Sequence, residues 1–352
     1  MKANFMLVAV LLIIAACFAF FAGRAEAAGG YEALEQALRI YKDCVNEAVK
    51  DEEWSDEYGE MSLIYIDDDD IPELVIVWST SAAGIQIYTV SDGKPVSVHL
   101  GMGEVSYIDR QNIFVAKGGR MGHYYDTVYS IQNGEFKALH TGQYGEEETD
   151  DEEIPFINYW RWDDAEVSES EYEEKLGSVF DGSIAMSSSE NACNSAADML
   201  QQIETYRLDN AIYECYDRLL QKYPSAEAIS KHFGGEAKWQ KDAVPSPHDE
   251  NLKLIINDME HPGIKISTLG YSYEDEDCFF ITRMDVKKAG LENFLGIDIG
   301  SAKEDVIKTF GPPRIIEGDK FIYHDSESES NRLTFTIKNG SVAEMKYDKY
   351  LD

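Results

Sequence analysis

Apolar and polar positions change period along this chain. Leu34, Leu38, Tyr41, Val45 and Val49 repeat at helical spacing, which predicts an opening helix over 31–50. The period then drops to two. MSLIYI (61–66), ELVIVW (73–78) and IQIYTV (85–90) read as strands, and Asp92-Gly93 turns the chain into PVSVH (95–99). EVSYI (104–108) and NIFVA (112–116) follow, and Gly118-Gly119 breaks the pattern. HYYDTVYSI (123–131) turns at Asn133-Gly134 into EFKAL (135–139). Short strands at this spacing predict an antiparallel meander with one helix covering one face. Ser168 and Glu171 form a capping box that opens a helix through Leu176. Helical spacing resumes over 196–206 and again over 211–223, where Ile212, Tyr216, Leu219 and Tyr223 share a face.

The most fully punctuated stretch is 296–347. Ser301 and Glu304 have capping-box spacing, and Ala302, Val306 and Phe310, with Ile307 beside them, make an apolar face. Gly311 supplies a C-terminal position suited to positive φ, and Pro312-Pro313 forbid continuation. KFIY (320–323), the alternating LTFTI (333–337) and the return strand after Asn339-Gly340 then predict a three-stranded meander. A shorter echo lies upstream: Ser225-Ala226 through Phe233-Gly234 repeats Ser301-Ala302 through Phe310-Gly311 with one residue fewer, and strand-like LKLII (252–256), GIKIS (263–267) and CFFITRM (278–284) follow. The echo suggests two copies of a helix-plus-meander unit; the alternative is one unrelated helix obeying the same capping rules.

The stretch 296–347 resembles the SmpA/OmlA-type envelope lipoprotein domain and the related fold of beta-lactamase inhibitory proteins. Gly296-Ile-Asp-Ile-Gly300, Val306-Ile307, Phe310-Gly311-Pro312-Pro313, the Tyr323 strand and Leu333 to Ile337 ending in Asn339-Gly340 carry the resemblance. It implies a scaffolding or protein-binding role outside the cytoplasm rather than a reaction.

Residues 1–27 read as a signal peptide. Lys2 precedes an apolar run from Met6 to Phe21, and Ala25-Glu26-Ala27 fits an A-x-A cleavage site. Ile14-Ala15-Ala16-Cys17 is a rival lipobox, with Cys17 as a lipid anchor; the apolar run continues past the cysteine, which favours ordinary cleavage. A retained anchor is a third reading. Beyond this run nothing is long enough to span a membrane. With 66 acidic and 31 basic residues among 352, the net charge is −35, which repels nucleic acid and anionic membranes and favours cations or basic partners. An apolar content of 44% supports real cores and two domains of ordinary size.

Between the first two strands stands Asp67-Asp68-Asp69-Asp70-Ile71-Pro72-Glu73-Leu74. It resembles the D-I-D-G-D-G-I-P-E-L turn of a broad group of exported bacterial proteins, a turn itself similar to calcium loops. The resemblance implies metal ligands at Asp67, Asp69 and Glu73. Hard cations need several oxygens converging at about 2.3–2.6 Å, which alternate residues of a tight loop can supply. Tyr65 stands where the first ligand belongs, and Asp68 and Asp70 stand where glycines belong, so an acidic surface turn is the simpler reading. The run Glu146 to Glu153 reads as a solvated loop. Tyr159-Trp160-Arg161-Trp162 reads as a strand packing on the sheet, with a ligand shelf as the sharper alternative. The adjacent Asp163-Asp164 lacks the separated environments that acid/base pairs need.

Cys44, Cys193, Cys215 and Cys278 permit two disulfides, and Cys44–Cys193 with Cys215–Cys278 respects the domains. No C-x-x-C, G-x-S-x-G, H-E-x-x-H or P-loop occurs. The expectation is therefore an extracytoplasmic α+β protein with an N-terminal helix and β-meander domain (31–182), a linker and helix (183–208) and a C-terminal α+β domain (209–352) of two units, 209–286 and 287–352. Its expected role is non-catalytic, binding another envelope or extracellular protein and no nucleic acid. The alternatives are a hydrolase acting on cell-wall glycan through acidic residues and a calcium-stabilised surface protein.

Overall fold

The computed structural model describes residues 30–80, 82–148, 156–234, 238–245, 253–273, 276–326 and 330–350. The predicted signal segment with Cys17, and most of the acidic run 146–153, lie outside them. The protein is mixed α+β, with antiparallel pairing in every sheet. It divides into two units, 1–203 and 204–352.

In the first unit the predicted strands form two sheets, not one meander. Helix α1 (Gly30–Ala48) is followed by β1 (Glu60–Ile64), β2 (Glu73–Val77), β3 (Ile85–Ser91) and β4 (Lys94–Leu100), a four-stranded sheet in sequence order. β5 (Gly103–Ile108), β6 (Ile113–Arg120), β7 (His123–Gln132), β8 (Glu135–Glu148), β9 (Phe156–Trp162) and the short β10 (Ala165–Glu166) continue in a second sheet, with β11 (Met186–Ser187) added beside β5. The reason lies in β2 and β6, which bury consecutive residues and therefore have two covered faces: Leu74, Val75 and Ile76 in one, Phe114, Val115 and Ala116 in the other. Val75, Ile85 and Ile87 from the first sheet meet Val105, Phe114 and Ala116 from the second in one core. α1 lies on the outer side against β3 and β4, burying Leu34, Leu38, Tyr41 and Val45. On the far side, α2 (Glu169–Val179) adds Tyr172 to a cluster with Val115, Val128 and Trp162. The capping box at Ser168 and Glu171 is formed. The turns Asp92-Gly93 and Asn133-Gly134 have the paired positive φ of type I′ hairpins, +50° and +69° in the first, +53° and +69° in the second.

The two helices expected over 196–206 and 211–223 are one, α3 (Ala196–Lys222), and the unit boundary, between 203 and 204, falls within it and within the 183–208 segment of linker and helix. No glycine or proline interrupts 196–222, so nothing in the backbone stops the helix.

The second unit runs twice through one pattern. α4 (Ala226–Phe233) precedes β12 (Lys238–Pro245), β13 (Lys253–His261), β14 (Ile264–Tyr273) and β15 (Glu276–Val286). α5 (Lys303–Phe310) precedes β16 (Ile315–Glu317), β17 (Lys320–His324), β18 (Asn331–Lys338) and β19 (Ser341–Lys349). β15 pairs β19, fusing the two meanders into an eight-stranded sheet. The later meander has four strands, the short β16 adding to the three that the alternation marked, within the three or four expected of each unit. The expected Ser301 cap is also corrected. α5 starts one residue later on Ala302 with no side-chain cap, because the Ser301 hydroxyl accepts instead from the Asp298 N–H at 3.0 Å. The upstream echo keeps its cap, with Ser225 Oγ accepting from Ala228 N–H. Val306 and Phe310 are buried, but Ile307 is exposed, so the apolar face is narrower than its spacing suggested.

The Cys44–Cys193 bridge is not formed; both thiols are free, as is that of Cys215. Cys193 Sγ turns toward Gln202 Oε1 at 3.5 Å, and Cys215 is buried in α3. Cys278 lies where only the backbone is described.

Candidate functional site

Two places combine unusual chemistry with a position that the fold explains. The first is the acidic turn between β1 and β2. Asp67 Oδ1 accepts from Asp69 N–H at 3.2 Å, and Asp69 Oδ1 accepts from Ile71 N–H at 2.8 Å, so both side chains brace successive backbone donors of the turn. Asp70 takes positive φ and pairs with Arg110 at 2.7 Å, whose guanidinium also lies 4.1 Å from the Tyr65 ring centre. Glu73 behaves differently. It is fully buried; Oε2 accepts from Ile66 N–H at 2.8 Å and Oε1 from the Thr89 hydroxyl at 3.3 Å. It straps the turn shut from inside.

Burial raises the Glu73 carboxyl well above its ordinary value, the Ile66 bond opposes this, and the charges of Asp67 and Asp69 add to it. Partial burial also raises Asp69 to about 6, with the Ile71 bond opposing and Asp67 and Asp70 contributing. The Tyr41 phenol, from α1, is held above its ordinary value first by burial and then by Glu73 and Asp69. The Thr89 side chain beside its hydroxyl opposes that shift. The sequence marks Tyr41 only as part of a helix face; its place beside Glu73 comes from packing α1 on the sheet. Asp67, Asp69 and Glu73 thus share one electrostatic neighbourhood. Among the described residues, however, no three His, Cys, Asp or Glu side chains are placed to hold a metal ion.

The second place is the sheet of the second unit. One face is covered: Tyr216 of α3 stacks on Tyr347 at 5.5 Å, and Phe310 of α5 meets Phe335 at 5.3 Å and Tyr323 at 5.5 Å. Arg207 donates to Thr309 carbonyl oxygen at 2.9 Å and ties the two helices together. Strand alternation sends the intervening residues to the other face. There Lys265 pairs with Glu260 at 3.0 Å, Arg283 with Asp285 at 3.0 Å, Lys287 with Glu344 at 3.1 Å, and Lys346 with Asp348. The Lys265–Glu260 and Lys287–Glu344 pairs are exposed and contribute little to stability, whereas Asp285 and Asp348 are buried beneath their basic partners. The unit has 28 acidic and 19 basic residues against 38 and 12 in residues 1–203, so basic groups are concentrated here. Beside the β13–β14 turn a cavity of about 440 Å³ is lined by His261, Gly263, Ile264, Asp285 and Lys287 among others, and Asp285 Oδ1 is buried there without a hydrogen bond among the described residues.

The aromatics 159–162 divide between roles. Trp162 is buried against Tyr172, as expected for a packing strand, whereas Trp160 is only partly covered. Asp163 and Asp164 both take positive φ in the turn after β9, and Asp163 accepts from Thr141 N–H and faces His140 at 2.9 Å.

The fold and these sites define an α+β protein with two antiparallel units, the second a doubled helix-and-meander. No protein-family model matches the chain, and no curated protein matches it. Among the described residues no helix is long and apolar enough to cross a membrane.

Proposed function

We propose that this is an exported protein whose second unit binds another envelope or extracellular protein through the open face of its eight-stranded sheet, without catalysing a reaction. The observation that supports this most is the division of that sheet. Aromatic side chains and two helices seal one face, and the other presents Lys265, Arg283, Lys287 and Lys346 among carboxylates. Basic groups interleaved with acids on a sheet face fix the register of a partner by charge complementarity. The export signal in 1–27 and the resemblance of 296–347 to envelope binding domains agree with it.

Photo-crosslinking from position 267, on the open face, should yield one dominant adduct in envelope extract. The same group at position 308, on α5, should not. Reversal of Arg283 and Lys265 to Glu should lower the first yield at least tenfold. Equal yields from both positions, or none from 267, dispose of the proposal.

A second reading, calcium at the β1–β2 turn, is supported by the mutual repulsion of Asp67, Asp69 and Glu73. Calcium that binds only the folded chain raises its melting temperature, by about 2.7 kcal/mol of stability at a hundredfold excess over Kd. At pH 7.5, millimolar calcium should shift the transition upward, and Asp69→Asn should abolish the shift. An unmoved transition removes this reading.

A further inference from the structure

The outer face of the seven-stranded sheet holds an aromatic ladder. Tyr124 of β7, Tyr144 of β8 and Trp160 of β9 are direct cross-strand partners. Their rings stack at 5.4 Å and 24°, then at 4.9 Å and 10°. Tyr172 of α2 closes the Trp160 end, meeting Trp160 edge-on at 5.1 Å and Tyr144 at 5.6 Å. The Tyr124 end is open. The residue paired with Tyr124 on β6 is Gly119, at φ +131°. A Cβ there would lie 2.2 Å from the His123 carbonyl oxygen and 2.5 Å from Tyr124 Cα. No side chain can stand at that position, and Tyr124 is 43% exposed.

The rim is polar on one side. Glu146 and Asn158 are directly paired, each two residues along its strand from the ladder and on the same face, and both are exposed. The Glu146 carboxylate lies near Gly122 in the β6–β7 turn, which borders the ledge. Phe156, two residues beyond Asn158 on the same face of β9, is 53% exposed.

An open aromatic face carries partial negative charge and attracts the weakly positive C–H hydrogens on one side of a sugar ring. A carboxylate and an amide beside it accept and donate to ring hydroxyls, which peptide and lipid chains do not offer in that arrangement. The excess of acidic groups in residues 1–203 disfavours anionic ligands. We propose that Tyr124, with the Gly119 ledge and the Glu146–Asn158 rim, is a binding subsite for a neutral pyranose unit of a glycan. This site belongs to the first unit and does not depend on the protein-binding face of the second.

The test is calorimetric titration of the full chain with cellotetraose and with chitotetraose, alongside tryptophan emission to report the Trp160 end of the ladder. Binding of at least one probe at about millimolar Kd is expected, weakened about tenfold or more by Tyr124→Ala and retained in Tyr124→Phe. Glu146→Gln and Asn158→Ala should each weaken it severalfold. Tyr58→Ala, at an exposed tyrosine outside the ladder, should bind as the unaltered chain does. No heat from either probe at about 10 mM overturns the proposal. So does undiminished binding by a Tyr124→Ala protein with a native circular dichroism spectrum. Tighter binding of a decaproline peptide, competed by neither sugar and lost in Tyr124→Ala, would assign the ring to a peptide instead.

Discussion

Phe335→Ala should lower the stability of the second unit by about 3–5 kcal/mol, and calorimetry of the full chain should show one transition moving down by roughly 10 °C. Phe335 is fully buried on β18 and meets three rings: Phe294 at 6.2 Å, Phe310 at 5.3 Å and Tyr323 at 5.9 Å. Truncation removes its transfer energy and leaves a cavity between α5 and the sheet. The neighbours cannot collapse into it easily, because Tyr323 is anchored by its hydroxyl to the Gly311 carbonyl oxygen at 3.1 Å. Thr334→Ala, one residue away on the opposite face, should change the transition by less than about 0.5 kcal/mol. Equal effects at 334 and 335 would mean that the sheet is not sealed on one face only, and the proposed binding face would lose its basis.

At Glu73 the expected results differ by substitution and by pH. Glu73→Ala should destabilise the first unit by about 2–4 kcal/mol, since it opens a cavity and leaves the Ile66 N–H and Thr89 hydroxyl without their acceptor. Glu73→Gln keeps an acceptor and cannot ionise, so at pH 7 it should be no less stable than the unaltered chain. The sign follows from the raised carboxyls. A group whose pKa is higher in the folded than in the unfolded chain binds more protons when folded across that interval. Stability is then greater at low pH and declines as pH rises from the ordinary carboxylate range. Asp69, raised to about 6, places that decline between about pH 4 and 6, and Glu73 extends it in the same direction. The melting temperature of the first unit should therefore fall from pH 5 to pH 7, less steeply in Asp69→Asn and in Glu73→Gln. A rise over that interval in the unaltered chain that Asp69→Asn abolishes would contradict the charge assignment at this turn.

Local punctuation carried much of the fold. The Asp92-Gly93, Asn133-Gly134 and Asn339-Gly340 hairpins and the Ser168–Glu171 box are properties of a few adjacent residues and are realised, as is the alternation at Leu333 and Phe335, which lapses at the register shift where Thr336 is buried and Ile337 half-buried. The cap at Ser301 failed because a competing local bond, from Asp298 N–H, was equally short-range and won. The acidic turn was conspicuous in sequence, but Glu73 as an internal strap and Tyr41 as its neighbour were not, since α1 reaches β3 only through the packed core. The Tyr124–Tyr144–Trp160 ladder was equally hidden. Each residue was readable as a strand aromatic, yet their stacking depends on the registers of two hairpins, one with a bulge between Val128 and Tyr129.

The amino-acid order by itself determined where strands turn, which faces of them are apolar, how helices 169–179 and 226–233 begin, and that the chain is strongly acidic, because each rests on neighbours a few bonds apart. Tertiary structure alone decided that the first strands part into two sheets, that β15 meets β19, and that Gly119 stands opposite Tyr124. The sheet partition and the β15–β19 pairing join residues far apart in the chain, where closure entropy and core packing select among alternatives, and Gly119 meets Tyr124 only through the register of the β6–β7 hairpin.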